Sequence, residues 1–213
     1  MKNILCFGDS NTWGYSPLDG SRYSHDVRWT GVLQKSLGSD YRVIEEGLNG
    51  RTNVTNEEER PIRSGLDVLP VLLESHRPLD LVVIMLGTND LKHDFDLSAE
   101  QIADGARQVC RSVIDCEYLV DNPPQILLIS PTQVELMTEE EQGLFIGAIE
   151  KSRELAEYYR AVAEDLGIHF LDASKVVVKT DLDGVHWDAD QHKAFGEALS
   201  GMIGQIKSLE AKF

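Results

Sequence analysis

Cations are scarce in this chain of 213 residues: 20 Lys and Arg stand against 36 Asp and Glu, a formal charge of −16. Nucleic acid and anionic membranes are bound through clustered cations, so neither is expected as a partner, and the acidity reads as a solvated surface. Cysteine is scarce as well. Cys6 lies in an apolar run, while Cys110 and Cys116 are six apart in a helical stretch, and this odd number without ligand-like spacing indicates neither a disulfide framework nor a metal site. Long apolar runs are missing: no segment approaches the roughly 20 residues of a membrane span. The run Ile4–Phe7 behind Met1-Lys2-Asn3 is too short for a signal-peptide core, so a cytoplasmic protein is expected. No linker, repeat or low-complexity run divides the chain, and the length suits one domain over residues 1–213.

What the sequence does have is five short apolar runs: Ile4–Phe7, Tyr41–Ile44, Leu81–Leu86, Ile126–Ile129 and Ile168–Leu171. They are nearly continuous rather than alternating, as strands covered on both faces require. The long segments between them carry helical periodicity. From Ser98, with Gln101 three residues on, Ile102, Ala106, Val109, Cys110 and Val113 share one face. A helix is read from Leu144 to Leu166 with Gly167 as its C-terminal glycine, and a last one from near Asp188, carrying Phe195, Leu199, Met202 and Ile206 inward. Strand alternating with helix predicts an α/β protein, a three-layer α/β/α sandwich around a five-stranded parallel sheet. The connections Gly14–Val27 and Thr132–Gln142, the latter holding Glu139-Glu140-Glu141, are longer than connectivity needs.

In such a sheet ligands bind beyond the carboxyl ends of the strands. Gly8-Asp9-Ser10-Asn11 follows the first strand and puts a hydroxyl at that edge, although Gly-Asp-Ser is also ordinary turn chemistry. Gly47-Leu48-Asn49-Gly50 follows the second strand and Gly87-Thr88-Asn89-Asp90 the third. A glycine N–H and an asparagine side-chain amide are donor types that stabilise a tetrahedral oxyanion. Beyond the fifth strand stands Asp183-Gly184-Val185-His186-Trp187-Asp188. His186 can take a serine proton if a carboxylate fixes its tautomer; Asp183 has the spacing for that, Asp181 is the alternative, and Asp188 reads as a helix cap.

These four blocks, in this order, resemble those of the SGNH (GDSL-like) hydrolases. Carried over, the resemblance implies Ser10 as nucleophile and oxyanion donor, Gly50 N–H and the Asn89 side chain as further donors, and Asp183 with His186 completing a triad. Gly47 rivals Gly50. The stretches Ile4–Gly14, Val27–Leu33, Val43–Leu48 and Ile84–Asp90 are similar to the bacterial arylesterase and acyltransferase/perhydrolase subgroup. That likeness implies a flavodoxin-like fold, short acyl esters as substrates, some transfer to alcohols or peroxide, no cofactor, and a homo-oligomer such as an octamer. Asn11 departs from the leucine of many relatives and is expected to leave the chemistry alone. The loop near Thr132–Gly147 matches nothing.

Trp13 and Trp187 flank the nucleophile and the base in sequence and are expected to line the substrate pocket, whereas Trp29 at a helix start suits core or interface. His186 and His192 lack the spacing of a helical metal pair, so no metal is expected. Leu144-Phe145-Ile146 reads as the start of a buried helix face or, by the resemblance, as an interface. Two alternatives to the arylesterase reading stand: a carbohydrate O-acetyl esterase, and a small-molecule binding module whose serine is a turn residue.

Overall fold

The computed structural model describes residues 1–135, 138–178 and 182–206. Its centre is a five-stranded parallel sheet of β1 (Lys2–Gly8), β2 (Tyr41–Gly47), β3 (Leu81–Met85), β4 (Gln125–Ser130) and β5 (His169–Asp172), in spatial order 2-1-3-4-5. All five apolar runs became strands. The order reverses beside β1, and this switch point is where an open parallel sheet leaves a crevice at its carboxyl edge.

The continuous apolar character of the strands follows from burial on both faces. Ile4 and Cys6 of β1 join Leu81, Val83, Leu127 and Ile129 in one core, packed by α2 (Trp29–Leu37) and α7 (Ala189–Ile203) through Trp29, Leu33, Phe195 and Leu199. Leu5 and Phe7 face the other core with Val82, Ile84 and Leu128, covered by α3 (Gly65–His76), α4 (Ala99–Ile114) and α6 (Ala148–Leu166). The sandwich therefore has the expected three layers.

The helix ends follow their capping residues. Ser98 and Gln101 close a capping box on α4, Asp188 and Gln191 another on α7, and Gly167 ends α6 in the left-handed region at φ 65°. The helix read from Leu144 is interrupted. A short α5 (Glu139–Leu144) occupies the long connection, Gly147 takes φ 74°, and α6 starts at Ala148. The glycine allows the chain to break between two helices whose apolar periodicity runs on across the gap. Of the run at the break, Phe145 is buried while Leu144 and Ile146 are about half exposed.

Candidate active site

β1 ends at Gly8 and the chain turns into the one-turn helix α1 (Ser10–Trp13). Asp9 caps this turn by accepting from the Asn11 N–H at 3.0 Å. A Cβ on Gly8 would sit 2.1 Å from Thr12 Oγ1 and 2.8 Å from the Met85 carbonyl, so the close approach of the turn to β3 requires glycine. Ser10 is thereby held at the carboxyl end of the central strand.

Opposite stands the turn Asp183–Trp187. Asp183 Oδ1 accepts from the backbone N–H of Val185 (2.8 Å) and of His186 (2.7 Å), and Oδ2 lies 2.6 Å from His186 Nδ1. With Nδ1 facing a carboxylate, that nitrogen carries the proton and Nε2 is the free base. Nε2 lies 3.0 Å from Ser10 Oγ. Burial works to raise the Asp183 carboxyl, but its hydrogen bond and charge interaction with His186 and the two backbone donors hold it below the usual carboxylate value. Asp183 is therefore ionised at neutral pH, as an orienting carboxylate must be. Asp181 lies outside the described residues, and Asp188 is occupied as the cap of α7.

The two glycines at and beyond the end of β2 have separate tasks. A Cβ on Gly47 would fall 2.1 Å from the Trp13 backbone nitrogen, which makes Gly47 the point where β2 touches α1. Gly50 is at φ 78° in the turn beyond, where a Cβ would meet the Arg60 guanidinium at 2.7–2.9 Å. The Asn89 side chain reaches the same turn, its Nδ2 donating to the Arg51 carbonyl at 3.1 Å and retaining a second N–H. Ser10, Gly50 and Asn89 are thus brought to one edge.

Beneath this edge is a layer of buried charge. Arg51 Nη1 donates to the Gly8 carbonyl (2.8 Å) and to the Glu46 carbonyl, tying together the ends of β1 and β2, and its guanidinium lies 4.2 Å from the Phe7 ring centroid. Burial lowers it to about 10, with Glu46 and Asp9 acting against the shift. Asp9 is raised by burial to about 6 despite the Asn11 N–H, His186 and Arg51. Asp90 is raised by burial to about 7, while accepting from the Asn53 N–H on both oxygens. Neither carboxyl was singled out from the sequence, because burial on all sides cannot be read from turn residues.

The expectation for Trp187 is corrected. Its ring is fully buried, 4.7 Å from the Phe195 ring, and its Nε1 donates to Thr132 Oγ1 at 3.2 Å. The residue after His186 points into the core under α7, so Trp187 cannot line a pocket. Trp13 is partly exposed, with the Arg22 guanidinium 5.0 Å from its ring and the Arg22 Nε bonded to its carbonyl. Trp29 is core, edge-on to Phe195. The aromatic beside His186 is Tyr15, unremarked in the sequence, with the two ring centroids 4.3 Å apart. His192 accepts the Trp29 N–H on Nδ1 and is lowered by burial to about 3, so it is a neutral core residue. Among the described residues no group of three or more His, Cys, Asp or Glu could hold a metal, and no helix is long and apolar enough to cross a membrane.

A family model described as the GDSL-like Lipase/Acylhydrolase family matches residues 6–195. The chain is similar to Est24, a carbohydrate acetylesterase from Sinorhizobium meliloti, with 36% identity over 96% of this chain and 99% of that one at a TM-score of 0.91. It is also similar to the native aryl esterase of M. smegmatis, with 39% identity over 95% and 98% and a TM-score of 0.90. A further carbohydrate acetylesterase family member from S. meliloti shares 38% identity over 99% and 100%, with a TM-score of 0.93. No curated protein matches the chain.

Proposed function

The chain belongs to the GDSL-like lipase/acylhydrolase family and is a serine esterase acting on short-chain esters, and from that premise we propose that Ser10, His186 and Asp183 are its catalytic triad. The observation that carries this reading is the continuous chain from Asp183 Oδ2 through the imidazole to Ser10 Oγ, with steps of 2.6 and 3.0 Å. Ser10 Oγ attacks the ester carbonyl as its proton passes to His186 Nε2, and the ionised Asp183 stabilises the imidazolium. The backbone N–H groups of Ser10 and Gly50 and the second Asn89 N–H hold the oxyanion, each worth roughly 3 to 4 kcal/mol in the transition state. His186 returns the proton to the leaving alcohol, the acyl group stays on Ser10, and water or an acceptor alcohol or peroxide releases it by the reverse sequence.

Ser10→Ala tests the reading. It is expected to abolish p-nitrophenyl acetate turnover and labelling by an organophosphorus probe, and retained turnover in that variant would overturn it. Both an aryl esterase and carbohydrate acetylesterases stand among the relatives, and our reading is an arylesterase with transfer capacity. Faster turnover of acetylated sugars or acetyl-xylan than of aryl acetates would move the substrate to carbohydrate. We further propose a homo-oligomer, for which the half-exposed Leu144 and Ile146 speak; a monomeric mass by light scattering would reject it.

A further inference from the structure

The residue after the nucleophile makes two bonds that the chemistry above does not use. Asn11 is 3% exposed, and its side chain reaches across the site to the turn that carries the base. Its Nδ2 donates to the Val185 carbonyl at 3.3 Å, and its Oδ1 accepts the Trp187 N–H at 3.0 Å. These are the two residues on either side of His186. The orientation of the amide is fixed by its partners, since the N–H of Trp187 needs an acceptor and the carbonyl of Val185 a donor.

We propose that Asn11 is a positioning residue, a buried amide clamp that sets the distance between the nucleophile and the base; this rests on the triad reading of Ser10 and His186. The Asp183–Trp187 turn is closed upon itself, because Asp183 accepts from Val185 N, His186 N and His186 Nδ1. That closure fixes the imidazole within its own turn but says nothing of where the turn sits relative to β1. Asn11 joins the two. It is adjacent in sequence to Ser10, its own N–H is bound by Asp9, and its side chain holds the backbone on both sides of His186.

The chemistry requires an asparagine. One short side chain must donate and accept at once. Leucine, of similar size, would leave the Val185 carbonyl and the Trp187 N–H buried without partners. Aspartate would turn an oxygen toward the Val185 carbonyl and add a charge beside Asp9. Either change lets the histidine turn shift against Ser10 while the Asp183–His186 pair travels with it. Displacement of a catalytic group by about 1 Å costs on the order of 100-fold in rate.

The test compares Asn11→Leu and Asn11→Ala with the parent in three measurements. The first is steady-state hydrolysis of p-nitrophenyl acetate, the second the rate of Ser10 labelling by an organophosphorus probe, and the third the downfield NMR signal of the His186 Nδ1 proton. The expected result is a 10- to 100-fold fall in kcat and in labelling rate, KM within threefold, and a retained downfield proton. The dyad then survives while its coupling to Ser10 is lost. A folded variant with kcat within twofold of the parent overturns the proposal, as does a fall in rate accompanied by loss of the downfield proton, which would mark general damage to the turn. Should neither variant fold, hydrogen exchange in the parent decides: the clamp requires a slowly exchanging Trp187 amide, and fast exchange there overturns it. Failure of the clamp leaves the Ser10→Ala result, and so the triad, untouched.

Discussion

The rings of Tyr15 and His186 lie 4.3 Å apart between centroids, with their planes tilted by 40°. Tyr15 follows the C-terminal glycine of α1, so the turn that presents Ser10 also supplies a wall to His186. The ring contact limits the freedom of the imidazole and covers part of its surface. Tyr15→Ala is expected to lower kcat/KM for p-nitrophenyl acetate by about tenfold, the loss of roughly 1.4 kcal/mol of transition-state stabilisation. Tyr15→Phe, which keeps the ring, is expected to retain more activity than Tyr15→Ala in the same assay.

Asp183→Asn is expected to reduce kcat by about three to four orders of magnitude without unfolding the turn. An asparagine can still accept the Val185 and His186 N–H groups through its carbonyl oxygen. Its NH2 group then faces Nδ1, which moves the ring proton to Nε2 and leaves Ser10 without a base. Unchanged thermal melting with the kinetic loss would show both halves of this.

Removing one of the proposed oxyanion donors is expected to give a different signature. Asn89→Ala is expected to lower kcat for p-nitrophenyl acetate by about 100- to 1000-fold, while Ser10 remains in place beside His186. Gly50→Ala also meets the Arg60 guanidinium and a φ of 78°, so it is expected to lower the melting temperature as well, which calorimetry would report.

Asp90 gives a pH prediction for stability rather than for rate. Burial raises its carboxyl from 3.8 to about 7 in the folded chain, so the native state holds this proton more tightly than the unfolded one. The corresponding stability is fully present below about pH 4 and is lost as pH rises toward and through 7. Asp90→Asn, which mimics the protonated form, is expected to match the parent in urea unfolding at pH 4 and to exceed it at pH 8. Equal stability of the two at pH 8 would contradict the burial argument.

Trp187 sits in the core, and its substitution is expected to act on folding. Trp187→Phe loses the bond to Thr132 and some packing against Phe195. A cost of about 2 kcal/mol would lower the melting temperature by about 4 to 8 °C in a chain of this size. The order of preference among p-nitrophenyl esters of increasing chain length is expected to stay as in the parent.

How far the sequence spoke for itself depended on what kind of signal each feature needs. The five strands were legible because burial on both faces leaves a run of apolar residues that little else produces. The proposed catalytic residues were legible because each stands in a connection that follows a strand, Ser10 directly after β1 and the Asp183–His186 pair further on from β5, where the fold brings separate turns together. α3 left no such mark: Pro70 lies inside it, and its Leu-rich run hides the helical period. The break at Gly147 was hidden by apolar residues on both sides. Direction was the hardest to read. Trp13 and Trp187 are sequence neighbours of Ser10 and His186, yet one stays partly exposed at α1 and the other is driven into the core. Asn11 looked like a neutral departure from leucine, because its partners lie 174 and 176 residues away.

The same separation governs timing. Ser10 stands just beyond β1 and His186 beyond β5, 176 residues on, with the sheet order placing them side by side. As the ribosome builds the chain, Ser10 emerges 176 residues ahead of His186, and under the proposed triad it has no base until that turn is made. A nascent chain therefore carries an unactivated serine until the turn that holds His186 has docked beside β1.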